Sequence, residues 1–253
     1  MKKNNIVILG GSGLIGDAII KNLIKKKYNI ILIDIILSHQ NKNYYQNKKI
    51  DFIKFDITKI NNHKKLVSGI FKKYLFINAF VNCSYPSKIE KNKINPKKNN
   101  SNKFIKNLND HLFSFYNLSF LFCEFMAKQK YGSIVNLSSI YGVKGPKFSI
   151  YKGLKNQMSV SPDYAAIKSG IIGFTKYLCS LYGEYNIRVN SVSPGGIYDN
   201  QDQRFVNNYI KHVPLMRMAK PEEVALPIIF LCSDESKYIT GVNLLVDGGW
   251  SAI

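Results

Sequence analysis

Gly10-Gly11-Ser12-Gly13-Leu14-Ile15-Gly16 stands directly between an apolar run at 6–9 and a segment at 14–27 that reads as a helix. Strand, glycine turn and helix in that order suit one task. The glycines permit a tight turn, close approach of backbone to a pyrophosphate and close packing of helix on sheet, while the helix N-terminus attracts negative charge. Gly10, Ser12, Gly13, Leu14, Ile15 and Gly16 therefore form an expected dinucleotide cradle. Asp34 ends the next apolar run, 29–35, and lies 18 residues beyond Gly16. A carboxylate there accepts hydrogen bonds from an adenosine ribose and repels a 2′-phosphate, so NAD is expected rather than NADP.

Outward from this unit, strand-like and helix-like segments alternate. Strands are predicted at 6–9, 29–35, 50–55, 76–82, 133–137, 187–193 and 242–246, and helices at 14–27, 59–74, 104–130, 164–185 and 221–233. Such alternation predicts an α/β fold, a parallel sheet covered on both faces by helices. Residues 83–103 break the rhythm with Pro86, Pro96 and lysines among asparagines, and read as a long loop. No repeat or linker divides the chain, and its 253 residues suit one domain, 1–253. Asp56, with Ile57 beside it, closes the third strand on the cofactor side. Its carboxylate can meet an adenine amino group or cap the following helix. Asn82 ends the fourth strand beside the glycine loop.

Composition narrows the class. Apolar residues make up 45 % of the sequence and no apolar run approaches the ~20 residues of a membrane helix, so a soluble protein is expected. The N-terminus lacks a signal-peptide core, which points to the cytoplasm. Cys83, Cys123, Cys179 and Cys232 are far apart, without Cys-x-x-Cys or clustered histidines, arguing against disulfides and against a zinc site. The formal charge of +20 would suit a polyanion, yet Arg188, Arg204 and Arg217 are the only arginines. Scattered lysine without arginine's bidentate fork argues against nucleic acid as a partner.

Tyr164 and Lys168 stand four apart on a predicted helix and share a face. A free phenol titrates near pH ~10, so it needs a neighbouring cation to act as a base at neutral pH. Together with Val81-Asn82, Asn136-Leu137-Ser138-Ser139, Asn190, Pro194-Gly195, Thr240-Gly241 and Asp247-Gly248-Gly249, this pair and the glycine loop resemble the short-chain dehydrogenase/reductase family in its single-domain form. The resemblance covers nearly the whole chain. It implies a Rossmann-type, doubly wound sheet of about seven parallel strands in three α/β/α layers, and a nicotinamide cofactor. It also implies a catalytic set of Ser139, Tyr164 and Lys168, with Pro194, Gly195 and Ile197 on the cofactor. The implied reaction moves a hydride between nicotinamide and a secondary alcohol or ketone. Ser139 would bond the substrate oxygen, Tyr164 would move its proton, and Lys168 would lower the tyrosine's pKa and bond the ribose.

Tyr151-Lys152-Gly153-Leu154-Lys155 repeats the Tyr-x-x-x-Lys spacing 12 residues after Ser139. It is set aside because only Tyr164 opens a helical run, Ile167, Ile171, Phe174, Leu178. An insertion at about 143–161 follows, expected to overhang the substrate, with a substrate loop at about 196–220. Three departures mark this member. The family's relay asparagine falls on His111, which can hold a water, move a proton, or simply pack. Gly13 is the middle glycine, as in larger nucleotide-sugar members, and Leu9 replaces a usual threonine. The C-terminal domain of those larger members is expected to be absent. Ser139-Ile140-Tyr141-Gly142-Val143, Pro146-Lys147-Phe148, Ser193 to Ile197 and Asp199-Asn200-Gln201 are similar to oxidoreductases of bacterial surface-sugar and flagellin-glycosylation pathways. That similarity implies a sugar or sugar-phosphate small-molecule substrate, whose anionic group the lysine-rich 86–106 can meet if it is not merely a solvated loop. The alternatives are an epimerase or dehydratase holding NAD tightly, or a nucleotide-binding regulatory protein. A homodimer or homotetramer is expected, since predicted helices 104–130 and 164–185 are apolar on more than one face.

Overall fold

The computed structural model describes residues 4–26, 28–37, 49–85, 100–154 and 159–253. Seven strands form one parallel sheet: β1 (Asn5–Leu9), β2 (Asn29–Asp34), β3 (Ile50–Lys54), β4 (Ala79–Asn82), β5 (Gly132–Leu137), β6 (Ile187–Pro194) and β7 (Asn243–Val246). Their order is β3-β2-β1-β4-β5-β6-β7. The order reverses between β1 and β4, which opens a crevice at the carboxyl ends of the strands. β1, β4 and β5 are buried along their whole length, as parallel strands covered on both faces must be.

The longer helices are α1 (Leu14–Lys25), α2 (His63–Tyr74), α3 (Ser101–Asn107), α4 (Ser114–Gln129), α5 (Pro162–Tyr182), α6 (Gln203–Ile210) and α7 (Pro221–Cys232). α1 and α7 bury Ile19, Ile20, Leu23, Ile228 and Ile229 against one face of the sheet. α2, α4 and α5 bury Val67, Ile70, Phe122, Met126 and Leu178 against the other. Two clusters on opposite faces give the expected three layers. Phe80 of β4 stacks on Phe122 with ring centroids 3.9 Å apart, fixing α4 over the centre of the sheet.

Several predicted boundaries move for identifiable reasons. The fourth strand is shorter than 76–82 because the Gln129 side chain satisfies both backbone groups of Ile77, in place of a strand neighbour. The helix predicted from 104 starts at Ser101, where the Asn100 side chain accepts the Lys103 N–H at 3.0 Å. That helix is also interrupted by a π-helical turn, Leu108–Phe113, before α4 begins. The Tyr164 helix starts two residues early, at Pro162, a residue preset for a first turn. Most of the predicted 83–103 loop, 86–99, lies outside the described residues, as do Lys155 and three residues after it. Among the described residues no helix is long and apolar enough to cross a membrane, and no group of three or more His, Cys, Asp or Glu could hold a metal ion.

The substrate loop holds a helix that periodicity did not reveal. α6 is capped by Asp202, whose carboxylate accepts the Arg204 N–H at 2.8 Å, and buries Phe205 and Tyr209 four residues apart. The insertion docks on this helix. Arg204 donates to the Gly153 carbonyl at 2.6 Å and Asn208 to that of Ile150 at 3.2 Å, while Tyr151 stacks on Phe205. Ile150, Phe205, Tyr209, Val213, Met218 and Trp250 make a small core of their own. Residues 150–153 are thus packed on the substrate loop.

Candidate active site

Gly10 continues β1 with φ +77°, and a Cβ there would lie 2.7 Å from Ser84 backbone atoms. Gly16, in the first turn of α1, would put a Cβ 2.4 Å from the Gly10 carbonyl oxygen. Only glycine lets the helix start this close to the strand. Gly13 and Leu14 are exposed at the helix start, where the first-turn N–H groups of Leu14, Ile15 and Gly16 have no partner within the helix. Asp34 bends over this turn from the end of β2. One of its oxygens accepts the Ser12 N–H at 2.9 Å and the other the Ile35 N–H at 2.7 Å. A carboxylate has about four acceptor sites, so capacity for ribose hydroxyls remains.

Asn82, fully buried at the end of β4, accepts the Ser84 hydroxyl at 2.8 Å, and its amide nitrogen has no partner among the described residues. A buried orphan donor is costly, about 1–3 kcal/mol, unless a ligand or water completes it. The glycine turn, the open helix N-terminus, the Asp34 carboxylate and this orphan amide fit a nicotinamide dinucleotide. Asp56 and Ile57 serve a local turn: Asp56 accepts from both the N–H and the hydroxyl of Thr58, and the Ile57 carbonyl is bonded by His63 and Ser114. Asp56 does not cap the helix, because α2 begins only at His63. Pro194 ends β6. At Gly195 a Cβ would meet Asp247 and the Tyr209 hydroxyl at 2.9 Å, and Ile197 bridges Ala219.

The end of β5 and the start of α5 are clamped reciprocally. Ser138 donates to the Lys168 carbonyl at 2.7 Å, and Lys168 Nζ donates to the Leu137 carbonyl at 3.0 Å. Gly142 must be small at this join, since a Cβ would meet the Lys168 carbonyl oxygen at 2.7 Å. The clamp brings Ser139, Tyr164 and Lys168 together. The Ser139 hydroxyl is close enough to the Tyr164 phenol to pull its pKa down, and Lys168 Nζ lies 5.6 Å from the centroid of the Tyr164 ring.

Burial dominates the electrostatics. It pushes the Tyr164 phenol up to about 12, against the pull of the Ser139 hydroxyl. It pushes the Lys168 ammonium down to about 7. Lys168 Nζ, 5.6 Å from the ring centroid, does not offset the effect of burial on the phenol. His111, in the π-helical turn, is buried among Tyr85, Phe115 and Lys168, and its Nε2 has no partner among the described residues. Desolvation first, then the Lys168 charge, holds this imidazole well below its ordinary value, while a bond to the Ser84 backbone pulls the other way. The ring is neutral at neutral pH.

The sequence reading missed the wall around this centre. Tyr85 stands edge-on to both His111 and Tyr164, at 4.9 and 5.8 Å between centroids. Tyr141 stands edge-on to Tyr164 at 6.5 Å, and its hydroxyl is 2.9 Å from that of Tyr151. Tyr151, set aside as a duplicate motif, is thus one of the site's neighbours. Its place depends on the insertion docking against α6, which no local pattern encodes.

Residues 12–251 match the family described as enoyl-(acyl carrier protein) reductase. The post-translational flagellin modification protein A of Campylobacter coli is 37 % identical over 257 residues, covering 99 % of each chain. The chain belongs to the short-chain dehydrogenase/reductase family. A 3-oxoacyl-[acyl-carrier-protein] reductase of Thermotoga maritima is 34 % identical over 79 % of this chain and 77 % of its own. The crystal structure of a short-chain dehydrogenase from Leptospira borgpetersenii with bound NAD+ superposes with a TM-score of 0.88 at 30 % identity, covering 99 % of this chain and 94 % of that one. As a member of this family the protein is an NAD(P)-dependent oxidoreductase acting on CH–OH groups or ketones. Short-chain dehydrogenase/reductases are typically oligomeric.

Proposed function

We propose that this enzyme interconverts a polar secondary alcohol and its ketone, a sugar or sugar-phosphate derivative, with NAD as cofactor, and that Ser139, Tyr164 and Lys168 carry the reaction. The observation that carries the reading is their convergence at the clamped end of β5. When bound, the nicotinamide supplies the hydride acceptor or donor. Gly10, Ser12, Gly13, Leu14, Ile15 and Gly16 hold the pyrophosphate, Asp34 the adenosine ribose, and Asn82, Pro194, Gly195 and Ile197 the nicotinamide side. The free acceptor capacity of Asp34 supports NAD over NADP. Asp56 and Ile57, engaged in their own turn, border the adenine end.

Ser139 donates to the substrate oxygen, and Tyr164 moves the proton on that oxygen. A phenol near 12 is protonated at neutral pH, so Tyr164 stands as a general acid, the role that ketone reduction needs. Lys168 Nζ, held by the Leu137 carbonyl, keeps a proton within reach of the tyrosine and bonds the nicotinamide ribose. His111 Nε2 accepts a hydrogen bond from a water that refills the relay.

The sugar assignment draws on the full-length similarity to a flagellin modification protein. The seven strands described lie in one sheet, which supports a single domain. Exposed Tyr177 and Leu181 support pairing through α5 into a dimer or tetramer. The four free cysteines accord with a cytoplasmic setting. Tyr164→Phe tests the reading: turnover should fall about 10²–10⁴-fold with NAD affinity unchanged, whereas full turnover contradicts it. Net NADH formation separates this reading from epimerase or dehydratase chemistry.

A further inference from the structure

The loop from Tyr141 to Tyr151 is closed at its base by the hydrogen bond between their hydroxyls, and there Tyr141 stands edge-on to Tyr164. Between these ends the loop carries Lys144 and Lys147. With Gly145, Pro146, His212, Trp250 and Ile253 they line a cavity of about 370 Å³. That volume is in the range of roughly 300–1,000 Å³ that accommodates small organic ligands. A second cavity, beside Gly195 and Arg217, measures only about 100 Å³.

The larger cavity concentrates positive charge. Lys147 Nζ is 3.1 Å from His212 Nδ1, and Lys144 Nζ donates at 2.8 Å to a main-chain oxygen of Ile253, whose α-carboxylate is the group a bound anion would have to displace from this lysine. Among the described residues, neither lysine pairs with an Asp or Glu carboxylate. Burial first, then the charges of Lys147 and Lys211, holds His212 below the ordinary imidazole value. Trp250 gives the cavity an aromatic wall, stacked on Tyr209 at 4.5 Å and edge-on to His212 at 5.6 Å.

We propose that this cavity binds the phosphoryl group of an organic phosphate substrate, with Lys144 and Lys147 donating to its oxygens and its organic part resting against Trp250. Two ammonium donors converging on one space match the acceptor-rich, doubly charged group better than they match a carboxylate or a neutral polyol. The proposal rests on the sugar-phosphate reading and gives that substrate's anionic end a place: the loop turns its base toward Tyr164 and carries the cations along its length.

Trp250 is the only tryptophan of the chain, so its fluorescence reports this cavity alone. Inorganic phosphate and uridine diphosphate are titrated separately into the enzyme saturated with NAD, so that the dinucleotide crevice is filled. Uridine diphosphate should change the emission saturably below roughly millimolar concentration and bind more tightly than phosphate. In the Lys144→Ala/Lys147→Ala variant its affinity should fall about tenfold or more, with NAD affinity and melting temperature unchanged. No saturable change, equal affinity for the two probes, or unaltered affinity in the variant overturns the proposal. Such a failure leaves the Tyr164→Phe result untouched, which separates it from failure of the oxidoreductase reading.

Discussion

Burial at the end of β5 places a phenol and an ammonium in opposite positions: Tyr164 is held protonated and Lys168 is held toward its neutral form. The lysine therefore costs stability, and the sign follows from its two pKa values. The unfolded chain keeps its proton up to about 10.5, the folded one only to about 7. Below pH 7 the penalty is complete, about 5 kcal/mol for a shift of this size, and it is relieved as pH rises toward 10.5. Urea unfolding should accordingly show Lys168→Met gaining stability over wild type most at pH 6, with the gap closing by pH 10. A gap constant across that range contradicts the burial account. Asp34 makes a separate prediction. Asp34→Ser removes the charge that opposes a 2′-phosphate, and kcat/KM for NADP relative to NAD should rise by about tenfold or more. At position 111 a hydrogen-bonding role separates from packing: His111→Asn should retain most of the turnover, and His111→Leu should lose about 10–100-fold without loss of melting temperature. Equal losses in both would assign the histidine to packing.

At the scale of elements, glycines divide into those that the backbone requires and those that it does not. A methyl group at Gly16 would press on the Gly10 carbonyl oxygen and the Gly11 Cα, both backbone. Gly16→Ala should cost about 1–3 kcal/mol and weaken NAD binding in a fluorescence titration. Gly69, exposed in the middle of α2 with nothing within 4 Å of a Cβ, should behave oppositely, and Gly69→Ala should stabilise by about 0.5–1 kcal/mol. The strand–glycine–helix unit was legible because its signals are local: an apolar run, a turn that only glycine fits, a helical period. So were β2, β5 and the run behind Tyr164. What stayed hidden depends on partners distant in sequence. Ile77 leaves the strand because Gln129 reaches it, α6 is too short to declare itself beside the insertion that covers it, and Tyr151 looked like a failed motif until docking carried it beside Tyr141. The extent of burial around the phenol and the lysine was hidden for the same reason, since a spacing of four conveys proximity and says nothing of desolvation.

Across the whole molecule, one sheet gathers Gly10, Asp34, Asn82, Ser139 and Pro194 at the carboxyl ends of its strands, from positions spread over most of the chain. The opposite consequence of this layering is apolar surface left on α5 and α7, where Tyr177, Leu181, Leu226 and Phe230 are exposed. Light scattering should find a dimer or tetramer that Leu181→Asp weakens, and a wild-type monomer at micromolar concentration contradicts that reading. The central claim is that the Ser139, Tyr164 and Lys168 convergence performs nicotinamide-dependent oxidoreduction. It is tested most directly by following NADH fluorescence with sugar phosphates and nucleotide sugars, wild type against Tyr164→Phe, with NAD affinity measured on both. The account predicts turnover in the wild type, its loss in Tyr164→Phe, and equal NAD affinity. Turnover that survives the substitution, or NAD binding with no redox turnover of any secondary alcohol or ketone, would contradict it.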